Sequence, residues 1–178
     1  MKFFNVLVLM FFISSCSEKE ADVEHLLEYE KDGLSFSYPA NWEVTEDTES
    51  DYFRFVFVES PGNAIVKIEV YPVEDSFDLR EFVDLDIEAL INEIPSMIAV
   101  DGSNKVEEIN TVINGAGFNG YRFDFNISIV NIDVPHVSEF YAFPSLKKVA
   151  YVTNQVAIED LDKVEGGFKQ VLATFKLK

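Results

Sequence analysis

The chain has 178 residues, with 32 Asp and Glu against 14 Lys and Arg, a net charge of −18, two His, one Cys, 17 Phe and 7 Tyr. Such a negative field repels polyphosphate, and only Lys147-Lys148 and Lys176 with Lys178 gather positive charge, so nucleic acid is excluded as a partner. A lone cysteine excludes a disulfide scaffold and a cysteine-based zinc site, and the aromatic content excludes a wholly disordered chain.

At the start, Lys2 precedes an apolar run from Phe3 to Ile13 that ends in Ser14-Ser15-Cys16. The run is too short to span a bilayer and leaves no polar face for a soluble helix, so it reads as a secretory signal. Ile13-Ser14-Ser15-Cys16 resembles the bacterial lipoprotein lipobox, whose cysteine is acylated and becomes the mature N-terminus. The resemblance implies a signal peptide over 1–15, lipidation at Cys16 with palmitate-type chains, and membrane attachment in the bacterial cell envelope. It implies the outer membrane, facing the periplasm or the cell surface. Loss of Lys2 with the signal leaves 13 basic against 32 acidic side chains, a net charge of −19. Residues 16–24 then read as the lipidated cysteine followed by an acidic tether, with a reach of at most roughly 28 Å at about 3.5 Å per residue. Residues 25–178 have the size of one domain.

Within that domain, Leu27–Glu30 and Leu34–Tyr38 flank Asp32-Gly33, the chemistry of a tight β-hairpin. Glu46-Asp47-Thr48-Glu49-Ser50-Asp51 reads as a solvated acidic loop. It lacks the glycine and terminal glutamate of a calcium loop. A second hairpin is expected from Phe53, Phe55 and Phe57 alternating along one strand and Val66, Ile68 and Val70 along the next, around Ser60-Pro61-Gly62-Asn63. This pattern puts the phenylalanines on the apolar face and turns Lys67 and Glu69 to a more polar one.

A helix follows, capped by Asp78 with Glu81 in the capping box and Phe77 stapled on Phe82, and stopped by Pro95. Leu79, Phe82, Val83, Ile87, Leu90, Ile91 and Ile94 form its apolar stripe. Strands are expected over 106–113, 120–130, 136–143 and 149–153. Turn chemistry lies at Asn114–Gly117 and Asn119-Gly120. The chain closes with a helix from about 160 to 175, striped by Leu161, Val164, Phe168, Val171, Leu172 and Phe175. Gly166-Gly167 inside it implies that another part of the chain comes close to that backbone.

The fold class is therefore α+β, a mostly antiparallel sheet covered by helices in a single domain, with Phe55, Phe123 and Phe168 in the shared core. Asp32-Gly33-Leu34-Ser35-Phe36-Ser37-Tyr38-Pro39-Ala40-Asn41-Trp42 resembles the N-terminal signature of the PsbP-like superfamily, a hairpin leading to Tyr-Pro-x-x-Trp. The order of later elements is similar along nearly the whole mature chain. The resemblance implies an α/β/α sandwich and a binding or accessory role without catalysis.

Chemistry-bearing residues are sparse. Asp133, His136 and Glu139 are spaced by three, which on a strand puts both acids opposite the imidazole, so no metal site is expected; His136 reads as a partly exposed residue near a hairpin end. No Gly-x-Ser-x-Gly elbow or phosphate loop is present. The expected function is a lipid-anchored envelope module with no cofactor and no catalytic residues. It would engage a protein partner through a polar sheet face carrying Arg54, Lys67, Arg122 and Asp124, with Lys147 nearby. The alternative is a small-molecule carrier, for instance with a pocket near Trp42, or a hydrolytic enzyme of the periplasm.

Overall fold

The Asp32-Gly33 hairpin forms as its sequence requires, with φ of 51° and 84° at the two turn residues. It joins β1 (Leu26–Lys31) to β2 (Leu34–Pro39). The computed structural model describes residues 18–50, 52–93, 98–129 and 132–178. Beyond the hairpin the chain runs through β3 (Glu43–Glu49), β4 (Arg54–Glu59), β5 (Ile65–Pro72), α1 (Leu79–Glu93), β6 (Ile98–Ile113), β7 (Ala116–Ile129), β8 (Ile132–Pro144), β9 (Lys148–Ala157), α2 (Leu161–Thr174) and β10 (Lys176–Leu177).

Among the described residues the strands make two antiparallel sheets. One has the order β1-β2-β10, the other β3-β4-β5-β9-β8-β7-β6. This is the expected α+β class. β3 and β10 had no sequence signal, and β6 to β9 run longer than the alternation alone indicated. The acidic stretch expected as a loop is largely strand β3, because Asp47 is drawn into an ion pair with Arg54 of β4.

The large sheet is covered on both faces. Val56, Val58, Val66, Ile68, Val152 and Val156 face one side, where α2 and the small sheet close over them through Val164, Phe168, Val171, Leu34 and Phe36. Phe123, Phe125, Phe140 and Tyr151 face the other, beneath Phe82 and Val83 of α1. Cross-strand pairing of Phe55 with Glu69 and of Phe57 with Lys67 puts these phenylalanines on the α1 side, with Lys67 and Glu69. The expectation that they share a face with Val66 and Ile68 is thus corrected: Val56 and Val58 do, and Phe55 is only half-buried.

The helices follow their signals at the start. Asp78 Oδ1 accepts the Glu81 backbone N–H at 2.9 Å, and Phe77 packs against the same cluster as Phe82. Phe82 stacks on Tyr151 with ring centroids 4.0 Å apart. Ile91, placed in the apolar stripe, is half exposed; Ile94 and Pro95 lie outside the described residues. In α2 the close approach predicted from Gly166-Gly167 is real and falls on Gly167. A Cβ there would stand 2.6 Å from the Trp42 ring and 2.9 Å from Pro39, whereas one on Gly166 meets only Val23 at 3.4 Å. Trp42 is 3% exposed and packs edge-on to Phe168.

The acidic tether is a second correction. From Glu18 on, the segment lies against the domain: Glu18 is 3% and Ala21 7% exposed, the Ala21 N–H donates to Lys163 O at 2.9 Å, and Asn41 bridges Asp22 N and Glu20 O. A carboxylate is drawn inward despite its charge because turn donors satisfy it.

Two sets of substitutions test this packing by urea unfolding. Gly167→Ala should cost on the order of 1–3 kcal/mol through overpacking against Trp42, whereas Gly166→Ala should be neutral or stabilise by up to about 1 kcal/mol. Phe123→Ala and Phe168→Ala should each cost about 3–5 kcal/mol, with Phe55→Ala clearly below that range; equal losses at all three would restore the single-faced sheet.

Candidate functional site

The half of the large sheet left open on the α2 side carries a polar strip. Arg122 Nε on β7 donates to Asp124 Oδ1 at 2.9 Å, and its Nη1 stands 3.7 Å from Glu139 Oε1 on β8. Glu139 Oε2 accepts from Tyr141 OH at 2.9 Å, and that hydroxyl is also 2.9 Å from Thr111 Oγ1 on β6. Tyr141 is 1% exposed, and burial together with the Glu139 charge pushes its phenol well above the ordinary range. It stays a neutral donor that fixes Glu139.

Gly120 explains how the ring fits. A Cβ at this position would lie 2.4 Å from Phe140 O and 2.9 Å from the Tyr141 ring, so the strand glycine leaves the space that the tyrosine fills. Asn119-Gly120, expected as turn chemistry, is therefore strand, and the turn sits at Asn114-Gly115 with φ of 52° and 83°. Across β8–β9 from Glu139 lies Asn154, 2% exposed, with neither amide atom hydrogen-bonded. Buried unpaired amides are uncommon and costly; among the described residues Trp42 Nε1 and Thr153 Oγ1 are likewise buried without a partner, so Asn154 belongs to the interior beneath the strip. Tyr141 also lines a cleft of about 440 Å³ with Phe118, Phe143, Phe175 and Leu177. The open face thus joins an aromatic cleft to a strip with two carboxylates around one guanidinium.

The remaining expected contact residues do not join this strip. Arg54 is 5% exposed. It is held under the small sheet, its Nε donating to Asp47 Oδ1 at 2.9 Å, its Nη2 to Asp47 Oδ2 at 3.0 Å and its Nη1 to Lys31 O at 3.0 Å. Burial works against the charge of Asp47, but hydrogen bonds from Arg54, Lys31 and Tyr29 outweigh it and hold the carboxyl well below the usual range. Lys67 lies on the α1 face and pairs with Glu69 at 3.1 Å and with Asp86; these carboxylates overcome its burial and keep it charged. Both residues are structural, because a cation in a closed layer must be neutralised there. Lys147 is exposed in the β8–β9 turn, beside Leu146 at 99% exposure. Cys16 lies outside the described residues.

His136 is not the partly exposed residue expected. It is 5% exposed, stacks on Phe125 with centroids 5.5 Å apart, and its Nδ1 lies 2.8 Å from Val134 O. Burial lowers its pKa, so it is a neutral core residue, and Asp133 and Glu139 point to the opposite face.

No protein-family model and no curated protein matches the chain in sequence. Solved structures do match. Cyanobacterial PsbP (CyanoP) from Synechocystis sp. PCC 6803 superposes with a TM-score of 0.56 at 12% identity, covering 93% of this chain and 99% of that one. The chain has the PsbP-like fold. Other solved structures similar to this PsbP-like chain are a protein from Bacteroides thetaiotaomicron VPI-5482 (TM-score 0.49, 9% identity, 91% of this chain and 49% of that one) and LpqN, involved in cell envelope biogenesis of Mycobacterium tuberculosis (0.45, 11%, 85% and 92%).

The structure sets Arg122 and Asp124, expected on the polar face, beside Glu139 and Tyr141, which the sequence reading did not place on that face. The alternation of β7 was the available signal: a polar register on β7 predicts polar neighbours on β8. For Asp47 the sign of the pH effect follows from its lowered pKa. Its contribution is present above the unfolded value, about 3.9, and is lost as pH falls through the lower folded value. Asp47→Asn should remove this acid-side loss and, by leaving Asp32 at 3.6 Å as the remaining carboxylate of Arg54, cost at most about 3–5 kcal/mol at neutral pH, read from denaturation midpoints between acid and neutral pH.

Proposed function

We propose that the protein is a lipid-anchored accessory module of the bacterial cell envelope, attached through acyl chains on Cys16, that engages a protein partner and catalyses no reaction. The observation that carries the binding half is the open face itself: Arg122, Asp124 and Glu139 stand together on a rigid sheet. A fixed pattern of opposite charges suits recognition of a polar protein surface. Leu146 and Lys147 offer a second contact, an apolar tip beside a cation on an otherwise acidic protein. Against hydrolysis stands the place of His136, inside the core and on the other face from the acids. The anchor half rests on the lipobox and on the apolar run before it.

One observation favours a carrier as the second reading. The aromatic cleft, about 440 Å³, falls within the usual ligand-pocket range of about 300–1,000 Å³. Its wall includes Tyr141, whose hydroxyl donates to the Glu139 carboxylate, so a medium-chain alkyl amine is the probe chosen to test it. Its titration should shift the NMR signals of Phe118, Tyr141 and Phe143 on this reading and leave them in place if the cleft only serves packing.

Cys16→Ser should abolish the acylated mass and release the chain from membranes; retention with an unchanged mass would sink the anchor. A photo-crosslinker placed at position 147 in cells should give a discrete adduct that disappears on Arg122→Glu while the melting temperature holds. Adducts indifferent to that charge reversal would remove the open face from the interface.

A further inference from the structure

Glu18 stands two residues after Cys16, which leaves at most about 7 Å of chain between them. Its Oε2 accepts from Ser60 Oγ at 2.7 Å, Asn63 N at 2.6 Å and Ala64 N at 3.1 Å, all in the β4–β5 turn. Gly62 makes the room, since a Cβ there would lie 2.3 Å from the carboxylate. Bonds to a charged acceptor are the strong ones, and three on one oxygen make a latch rather than a passing contact.

The latch fixes where the anchor joins the fold. Ile65 pairs with Gln155, Gln155 with Ser138 and Ser138 with Phe123, so the β4–β5 turn and the β7–β8 hairpin extend from the same end of the sheet. The hairpin reaches Ile132, six residues past that row and therefore roughly 20 Å beyond it at about 3.3 Å per residue. Ile132 is 66% exposed. Half-exposed Ile91 lies in the last turn of α1, which feeds β6, whose first residue Ile98 pairs with Ile129 of the same hairpin. Leu146 and Lys147 sit at the far end of β8, about 40 Å from Ile132 by the same rise.

We infer that Glu18 orients the domain on its own acyl anchor, with the β7–β8 hairpin end against the lipid bilayer and the β8–β9 turn held away from it. This rests on the lipoprotein reading. Exposed isoleucines at the anchored end enter the interface, where apolar side chains gain by leaving water. The opposite tip, with its exposed leucine and lysine, is left to partners.

The test uses the full lipidated chain in phosphatidylcholine vesicles containing nitroxide-labelled lipid, with a fluorophore on Ile132→Cys or on Lys147→Cys. The label at 132 should lose most of its emission and the label at 147 almost none. Glu18→Ala should erase that difference. So should a Gly/Ser insertion of about eight residues between Ser17 and Glu18, worth roughly 16 Å of span, which keeps every Glu18 contact and so decides the matter if Glu18→Ala unfolds. Equal quenching at the two positions, or a difference that survives the insertion, would overturn the orientation while the chain still floats with the vesicles. A chain that fails to float overturns the anchor, and the orientation with it.

Discussion

Burial of one sheet on both faces is the constraint on which the other features depend. β5 and β9 send alternate residues to two different cores: Val66, Ile68, Ala150 and Val152 to α2, and Tyr71 and Tyr151 to α1. Slipping the β5–β9 pairing by one residue would carry Lys67 and Glu69 into the α2 core and expel Ile68, so the register is specified from both sides. The same constraint dictates the internal ion pairs. Wherever a charge falls on a covered face it has to be neutralised, as Lys67 is by Glu69 and Asp86 and Arg54 by Asp47.

This constraint also explains what could be read from the sequence and what could not. Period-2 alternation in β7, the Asp32-Gly33 turn, the Asp78 cap and the stripe of α2 are local signals, and each appears in the fold where its chemistry places it. Which face a residue occupies is not local. Phe55 and Val56 are both apolar, and only the pairing of Phe55 with Glu69 shows that the phenylalanine lies on the face opposite the α2 core. Arg54 and Lys67 were assigned to a solvated face for the same reason: a cation's partner can be distant in sequence, as Asp86 is from Lys67, and a charge reads as exposed until that partner is in place. Gly167 was legible because a helix glycine is costly, so its presence demanded a neighbour; that the neighbour is Trp42 required the fold.

The acidic N-terminal segment shows how net charge misleads at short range. Self-repulsion averaged over Ser17–Glu24 favours an extended chain, yet Glu18 meets three donors of one turn, and local hydrogen bonds outweigh a screened average field. The signal for this docking lay in the turn, where Ser60, Gly62 and the backbone N–H groups of Asn63 and Ala64 make an anion-accepting concavity.

The two halves of the large sheet are covered unequally, and this asymmetry separates scaffold from surface. β5 and β9 are closed on both sides, so their residues, Asn154 of β9 included, are committed to packing. β6, β7 and β8 are covered by α1 on one side; on the other, Val137 and Tyr141 of β8 are buried in the α2-side core, and between them the side chains turn polar from Arg122 to Glu139 while the aromatic packing of Phe118, Phe143 and Phe175 ends in a cleft. A strand that served only to fill the core would gain nothing from an arginine flanked by two acids. Rigid backing by the α1 core and chemical variety on the free face are what a recognition surface requires, and among the described residues they occur together along β7 and β8.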